Sequence, residues 1–181
     1  MKYKLLLFTL SLILVSQNVS SQDKSITNQD NRGYTVRVGD SAPDFEIEML
    51  NGEKIKLSSL KGKVVMLQFT ASWCSVCRKE MPYIESDIWQ KNKSNKDFVL
   101  YGIDFKEDAD VTAGFIKSMN ITYPVTLDVS GDKFGLFTEP GAGVTRNVII
   151  DRTGKIIMLT RLYDTEEFQT MVKLIDNELK K

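Results

Sequence analysis

Alternation of apolar and polar positions marks the first elements of the chain. Residues 42–48 (APDFEIE) and 54–57 (KIKL) alternate with period two, as half-exposed strands do, and Asn51-Gly52 between them is a strong hairpin turn. Residues 58–60 read as a short helical turn. The run 64–69 (VVMLQF) is apolar on both faces apart from Gln68, which is the pattern of a central buried strand. A helical pattern follows over 75–92, with Pro82 inside it and predicted to kink it. Residues 98–103 (FVLYGI) predict a second central strand, and Asp110 is placed to cap a helix reaching Met119. Residues 123–127 are extended, and 133–137 suggest one helical turn. Residues 144–150 and 155–160 form a strand pair across the turn 152–154, and Thr165 is placed to cap a last amphipathic helix to 179. The order is a β-hairpin, then βαβα, then ββα. It predicts an α/β fold with a mixed central sheet flanked by helices and an N-terminal hairpin extension.

The ends of the pattern set the domain limits. Residues 1–4 are basic and 5–15 form an apolar run too short to span a bilayer comfortably, so 1–21 read as an export leader, either cleaved as a signal peptide or kept as an anchor. Residues 22–35 are polar and aperiodic and read as a disordered linker. Residues 36–181 are expected to form one domain.

Composition then narrows the chemistry. Lys+Arg and Asp+Glu both number 24, so net charge gives no reason to expect nucleic acid as a partner. The absence of histidine excludes Ser-His-Asp and Cys-His nucleophilic sites, and two cysteines alone cannot complete a tetrahedral thiolate site. No cofactor or metal is expected. The two cysteines are Cys74 and Cys77, in Trp73-Cys74-Ser75-Val76-Cys77, where the first central strand gives way to a helix. Thiols one turn apart can close a small disulfide ring and open it again. A structural disulfide and a partial metal clamp are the competing uses, but so short a ring constrains the unfolded chain little.

Residues 40–178 resemble the TlpA/ResA-like branch of the thioredoxin superfamily, exported thiol-disulfide oxidoreductases of bacteria. The resemblance rests on Ala42-Pro43-Asp44-Phe45, on Leu57-Ser58-Ser59-Leu60-Lys61-Gly62-Lys63-Val64-Val65 and on the stretch from Phe69 through Trp73, Cys74 and Cys77 to Pro82. Tyr123-Pro124-Val125 and Ile149-Ile150-Asp151-Arg152-Thr153-Gly154 extend it. It implies a thioredoxin fold with Cys74 exposed at a helix N-terminus as the nucleophile, its pKa lowered to between about 3.5 and 7, and Cys77 as the resolving thiol. It implies a proton role for Glu107, because Gln68 stands where thioredoxins carry a buried Asp and an amide cannot transfer protons. Trp73 corresponds to the family's Trp beside the disulfide. Thr145 occupies the place of the usual cis-proline, where a trans bond is expected, since a cis peptide before a residue other than proline costs about 3 kcal/mol. Trp73, Thr145 and Arg146 are the candidate substrate-binding residues, and a solvated acidic helix entry, a strand-entry Thr and a surface Arg are the plainer readings of Glu107, Thr145 and Arg146.

The expected function is reduction of disulfides in exported substrate proteins by a monomer recharged by a membrane thiol donor. A peroxiredoxin-like thiol peroxidase is the alternative, kept by Thr145-Arg146 and weakened because no Pro-x-x-x-Thr-x-x-Cys approach precedes Cys74. A copper carrier on this fold is weaker still, since such carriers use Cys-x-x-x-Cys with His.

Overall fold

The computed structural model describes residues 32–181. The expected leader and most of the expected linker lie outside the described residues. Residues 32–35 pack onto the domain: Tyr34 is buried, its hydroxyl donates to Thr160 O at 2.6 Å, and Arg32 pairs with Glu167 at 2.8 Å. The folded unit therefore begins ahead of residue 36, anchored by one aromatic side chain in a polar stretch.

The hairpin comprises β1 (Glu46–Glu48) and β2 (Lys54–Lys56), paired in register Ile47 to Ile55. Gly52 takes φ 83° in the turn, a conformation open to glycine at no steric cost. A 3-10 turn (Leu57–Leu60) leads to β3 (Val64–Thr70), buried at every position. β4 (Phe98–Phe105), β5 (Val125–Asp128), β6 (Arg146–Ile150) and β7 (Ile156–Arg161) complete a sheet of order β5-β4-β3-β6-β7. β3 is parallel to β4 and antiparallel to β6, which makes the sheet mixed as expected. An isolated bridge from Met49 to Thr126 ties the hairpin to β5.

After β3 comes α1 (Ser75–Tyr83), which passes into a π-helical segment (Ile84–Trp89) and then α2 (Gln90–Asn92). Pro82 has no N–H for the ladder, and the helix widens from α to π geometry two residues beyond it. The inward stripe Cys77, Met81, Ile84, Ile88 is fully or almost fully buried. The remaining helices are α3 (Ala109–Met119), α4 (Asp132–Gly135) and α5 (Thr165–Leu179). Two caps differ from expectation. Asp108, not Asp110, accepts the Val111 N–H at the start of α3, and Asp164, not Thr165, accepts from Glu166 and Glu167 at the start of α5. In each case an acidic side chain ahead of the helix reached free N–H groups that the sequence pattern alone did not rank. α5 buries Phe168, Met171, Val172 and Ile175, a 3.6-period stripe whose burial contributes about 2 kcal/mol per side chain. Among the described residues no helix is long and apolar enough to cross a membrane.

The two faces of the sheet have different neighbours, and this decides where each site residue points. Phe69 meets Phe134 and Phe137, while its strand neighbour Gln68 faces the opposite way, toward α1. β6 pairs with β3 in the register Gln68 to Asn147 and Phe69 to Arg146. Asn147 therefore shares the α1 side and Arg146 the phenylalanine side.

Candidate active site

Cys74 is the N-cap of α1, with extended backbone at φ −84° and ψ 105°. Its Sγ accepts the Cys77 N–H at 3.1 Å, so the sulphur occupies the position a capping oxygen would take. It is bonded to Cys77 in a disulfide whose Cα atoms are 5.3 Å apart. Cys74 keeps 7% exposure and Cys77 none. Cys74 is thus more covered than expected, because the capping position tucks its sulphur against the helix end and Thr145. Even so, it presents the accessible edge of the disulfide.

Thr145 lies across both sulphurs. Its hydroxyl is 2.8 Å from Cys77 Sγ and 3.3 Å from Cys74 Sγ, and a disulfide has no proton to give, so the hydroxyl donates. The Val144-Thr145 peptide is cis, which corrects the expected trans bond. Local preference is overridden by fixed partners on both sides of the residue: the disulfide holds the side chain, and the Leu162 N–H bonds its carbonyl at 3.0 Å. That carbonyl is therefore already engaged. Arg146 alternates to the other face of β6 and is 1% exposed, its guanidinium 4.4 Å over the Tyr34 ring and bonded to Gly143 O and Arg32 O. Burial on that face corrects its assignment to substrate binding. Trp73, at 63% exposure, is the large apolar side chain standing open next to Cys74.

One turn beyond Cys77, Glu80 is buried beneath the disulfide. Cys77 and Glu80 share a helix face, Thr145 and Asn147 share a strand face, and the two pairs meet: Cys77 touches Thr145, and Glu80 Oε1 accepts from Asn147 Nδ2 at 2.8 Å. Asn147 also donates to Thr160 Oγ1, and Gln68 Oε1 accepts the Tyr123 hydroxyl at 2.8 Å. Burial raises the Glu80 carboxyl from 4.5 to about 7; the neighbouring Asn147 and Gln68 side chains pull it back, and Glu167 adds a smaller upward push. Glu80 Oε2 and Gln68 Nε2 nonetheless make no formal hydrogen bond among the described residues, so burial dominates. Sequence reasoning passed over Glu80. The signal was its spacing, three residues after the inner cysteine and hence on the cysteine's own helix face.

Glu107, the carboxylate expected to serve Cys77, lies on the Cys74 side instead. Its Oε2 accepts the Ser72 N–H and its Oε1 the Ser72 hydroxyl, both at 2.6 Å. Arg78 Nε donates to Ser72 O at 2.7 Å, so the residue two before Cys74 is held from both sides.

Residues 38–158 match the AhpC/TSA family. The chain is 32% identical over 135 residues to the thiol-disulfide oxidoreductase ResA of Bacillus thuringiensis subsp. konkukian (strain 97-27), spanning 73% of this chain and 74% of that protein. The chain belongs to the AhpC/TSA family, as a TlpA/ResA-like protein. The solution structure of a putative protein disulfide isomerase from Bacteroides thetaiotaomicron is 56% identical, with TM-score 0.80 over 82% of this chain and 94% of that one. The crystal structure of a putative thiol:disulfide interchange protein DsbE from Chlorobium tepidum is 26% identical, with TM-score 0.68 over 80% and 99% of the two chains.

This TlpA/ResA-like chain thus carries the thioredoxin fold with two substitutions of function inside it. A hydroxyl, not a proline ring, faces the sulphurs at position 145. A helix glutamate, not a strand aspartate, supplies the buried carboxyl, and Gln68 in the strand borders it.

Proposed function

We propose that the protein is an extracytoplasmic thiol-disulfide oxidoreductase that reduces disulfides in substrate proteins, with Cys74 as nucleophile and Cys77 as resolving thiol. The observation that carries this reading is the graded access of the pair: a partly accessible sulphur at a helix N-terminus, joined to one with no exposure. In the reduced protein, unpaired N–H groups at the start of α1 favour the Cys74 thiolate. That thiolate attacks one sulphur of the substrate disulfide, forming a mixed disulfide and releasing a substrate thiolate. Cys77 then gives its proton to the Glu80 carboxylate and attacks Cys74 Sγ. The second substrate thiol leaves, and the Cys74–Cys77 disulfide re-forms with two electrons passed to the substrate. A group poised near neutrality is suited to that proton transfer. Glu107 acts on the other side, through Ser72 and the loop that carries Cys74. Trp73 and Thr145 border the reacting sulphur and form the rim against which substrate docks.

Recharging requires a thiol donor of lower potential, and a membrane thiol carrier is the donor proposed for an exported protein. The protein acts as a monomer, soluble after leader cleavage or tethered by the uncleaved segment. The peroxidase alternative loses its main support with Arg146, whose guanidinium faces Tyr34 on the side of β6 away from the disulfide.

The test is trapping. Reduced Cys77→Ser retains a stable mixed disulfide with oxidised insulin or a native disulfide-bonded substrate, while Cys74→Ser traps none. Equal trapping by both variants overturns the assignment of roles. The potential of the pair against glutathione and dithiothreitol at pH 7 fixes the direction: a value below about −220 mV is that of a reductase, and a value near about −120 mV is that of an oxidant.

A further inference from the structure

Asp104 sits at the end of β4 opposite Thr70, with no exposure, and the reaction described above does not use it. Its hydrogen bonding does not close for a carboxylate. Oδ2 lies 2.6 Å from Thr112 Oγ1, but that hydroxyl also lies 2.8 Å from Asp108 O, a carbonyl that can only accept. Thr112 has one hydroxyl proton for the two neighbours. Asp104 Oδ1 has no donor among the described residues, and the side chain in contact with the Asp104 carboxyl is that of Glu107, another acceptor. Glu107 accepts from the two Ser72 donors and, as a carboxylate, keeps lone pairs for a further donor but has no proton of its own to give. Between them the two carboxyls lack one proton, and a proton on Asp104 supplies it.

The backbone is shaped for this meeting. Lys106, between the two acids, takes φ 59°, a left-handed conformation uncommon for a residue with a long side chain. It turns the chain so that Glu107 comes back over the end of β4 toward the loop leading to Cys74.

We propose that Asp104 is a positioning residue for the redox site, holding one proton between its carboxyl and Glu107 and so keeping Glu107 clamped on Ser72. The proposal rests on the reading of Cys74 as the nucleophile. The clamp fixes Ser72 through its N–H and hydroxyl, while Arg78 fixes its carbonyl, and the Cys74 N–H bonds Ala71 O at 3.1 Å in the same turn. With the proton in place the pair carries one negative charge. When the proton leaves, two charges abut in a buried place, and the half-buried Glu107 is the one free to move outward and release Ser72. Burial and the Glu107 charge raise Asp104 from 3.8 to about 7, so the release falls near neutral pH. Around Asp104, α3 contributes the neutral Thr112 and α1 contributes Arg78 through Ser72. On β5 the nearest acid, Asp128, pairs with Phe105 and lies on the opposite face of the sheet, its carboxylate held by the Lys133 and Phe134 N–H groups.

The experiment is a side-chain carboxyl carbon NMR titration of the full chain, from about pH 5 to 9. The Ser72 amide is followed alongside, and the alkylation rate of Cys74 in the reduced protein is measured over the same range. The Asp104 carboxyl is expected to titrate near neutrality, with the Glu107 carboxyl carbon, the Ser72 amide and a step in the alkylation rate responding at the same pH. Asp104→Asn keeps a donor toward Glu107 at every pH; the Ser72 response is expected to vanish and the alkylation profile to lose the component that follows Ser72, leaving the ionisation of Cys74 itself. A Glu107 carboxyl carbon that does not respond to the Asp104 titration overturns the proposal. So does an Asp104→Asn profile superimposable on the wild type. The wild-type titration reads the pair whether or not the variant folds. It also separates the two readings: a coupled pair in a protein that traps no substrate sinks the exchange mechanism alone, and normal exchange with uncoupled acids sinks the positioning role alone.

Discussion

Glu80→Gln separates the energetic from the chemical consequence of burying an acid beneath the disulfide. The folded protein holds the Glu80 proton to about pH 7, whereas the unfolded chain releases it near 4.5. Below 4.5 both states are protonated and the group is neutral in the balance. As pH rises through 4.5 toward 7 the unfolded chain sheds its proton and the folded protein does not, so stability falls, and above 7 the full loss is present. The displacement from 4.5 to about 7 amounts to about 3 kcal/mol. Glutamine has no proton to lose, and the variant is free of this slope. It must re-pair one amide with Asn147, at about 1 kcal/mol, but that cost is constant with pH and leaves the slope intact. Urea unfolding of wild type and variant at several pH values from about 5 to 8 gives the difference in slope. The contribution of Asp104, which has the same sign, cancels in that difference so far as the two sites add. The variant is expected to gain about 2 to 3 kcal/mol relative to the wild type across this range. Its insulin-reduction rate at pH 7 is expected to fall about a hundredfold, the scale of a lost general base. Parallel stability curves would refute the buried-acid argument, and an unchanged reduction rate would refute the proton role.

Thr145→Val removes the hydroxyl that faces both disulfide sulphurs and keeps the side-chain shape; a hydroxyl donates more strongly to the thiolate that reduction creates than to the neutral disulfide, so losing a difference of about 1.5 kcal/mol should move the glutathione-measured potential about 30 mV more negative, and a shift in the other direction counts against that preference. Asp108→Ala deletes the α3 cap and should cost about 1 kcal/mol in urea unfolding, while Asp110→Ala should cost much less; equal effects would contradict the observed cap. Trp73→Ala, at an exposed position, should leave stability within about 0.5 kcal/mol yet slow reduction of protein substrates more than that of small disulfides, and equal slowing of both would remove it from the docking rim.

What the sequence discloses and what it hides follow from the range of the interactions concerned. β3 is legible because a strand buried on both faces must be apolar at nearly every position, and Gln68 stands out as the one polar residue ahead of its terminal Thr70. Cys74 and Cys77 are legible because their relation is local, three residues along one helix. Residue 145 lies across the sulphurs, and its peptide geometry is not legible locally, because that geometry answers to a disulfide from α1 and an N–H from Leu162, far apart in the chain. Arg146 was assigned to substrate because an arginine beside a redox site suggests an anion. Its real surroundings depend on which face of β6 it occupies, and that is fixed by register against β3 and by Tyr34, an aromatic in a stretch that reads as linker.

The two acids make the same argument from opposite directions. Glu107 was found by its place after the second central strand and serves the loop before Cys74. Glu80 was overlooked although helix periodicity alone puts it on the face of Cys77. A strand-end residue can turn to either side of the sheet, and Lys106 in left-handed backbone decides which. A residue three along a regular helix has no such choice. For a carboxylate suspected of serving a cysteine at a helix N-terminus, the helix's own period is therefore the firmer guide, and the titration slope of Glu80→Gln measures how firm it is here.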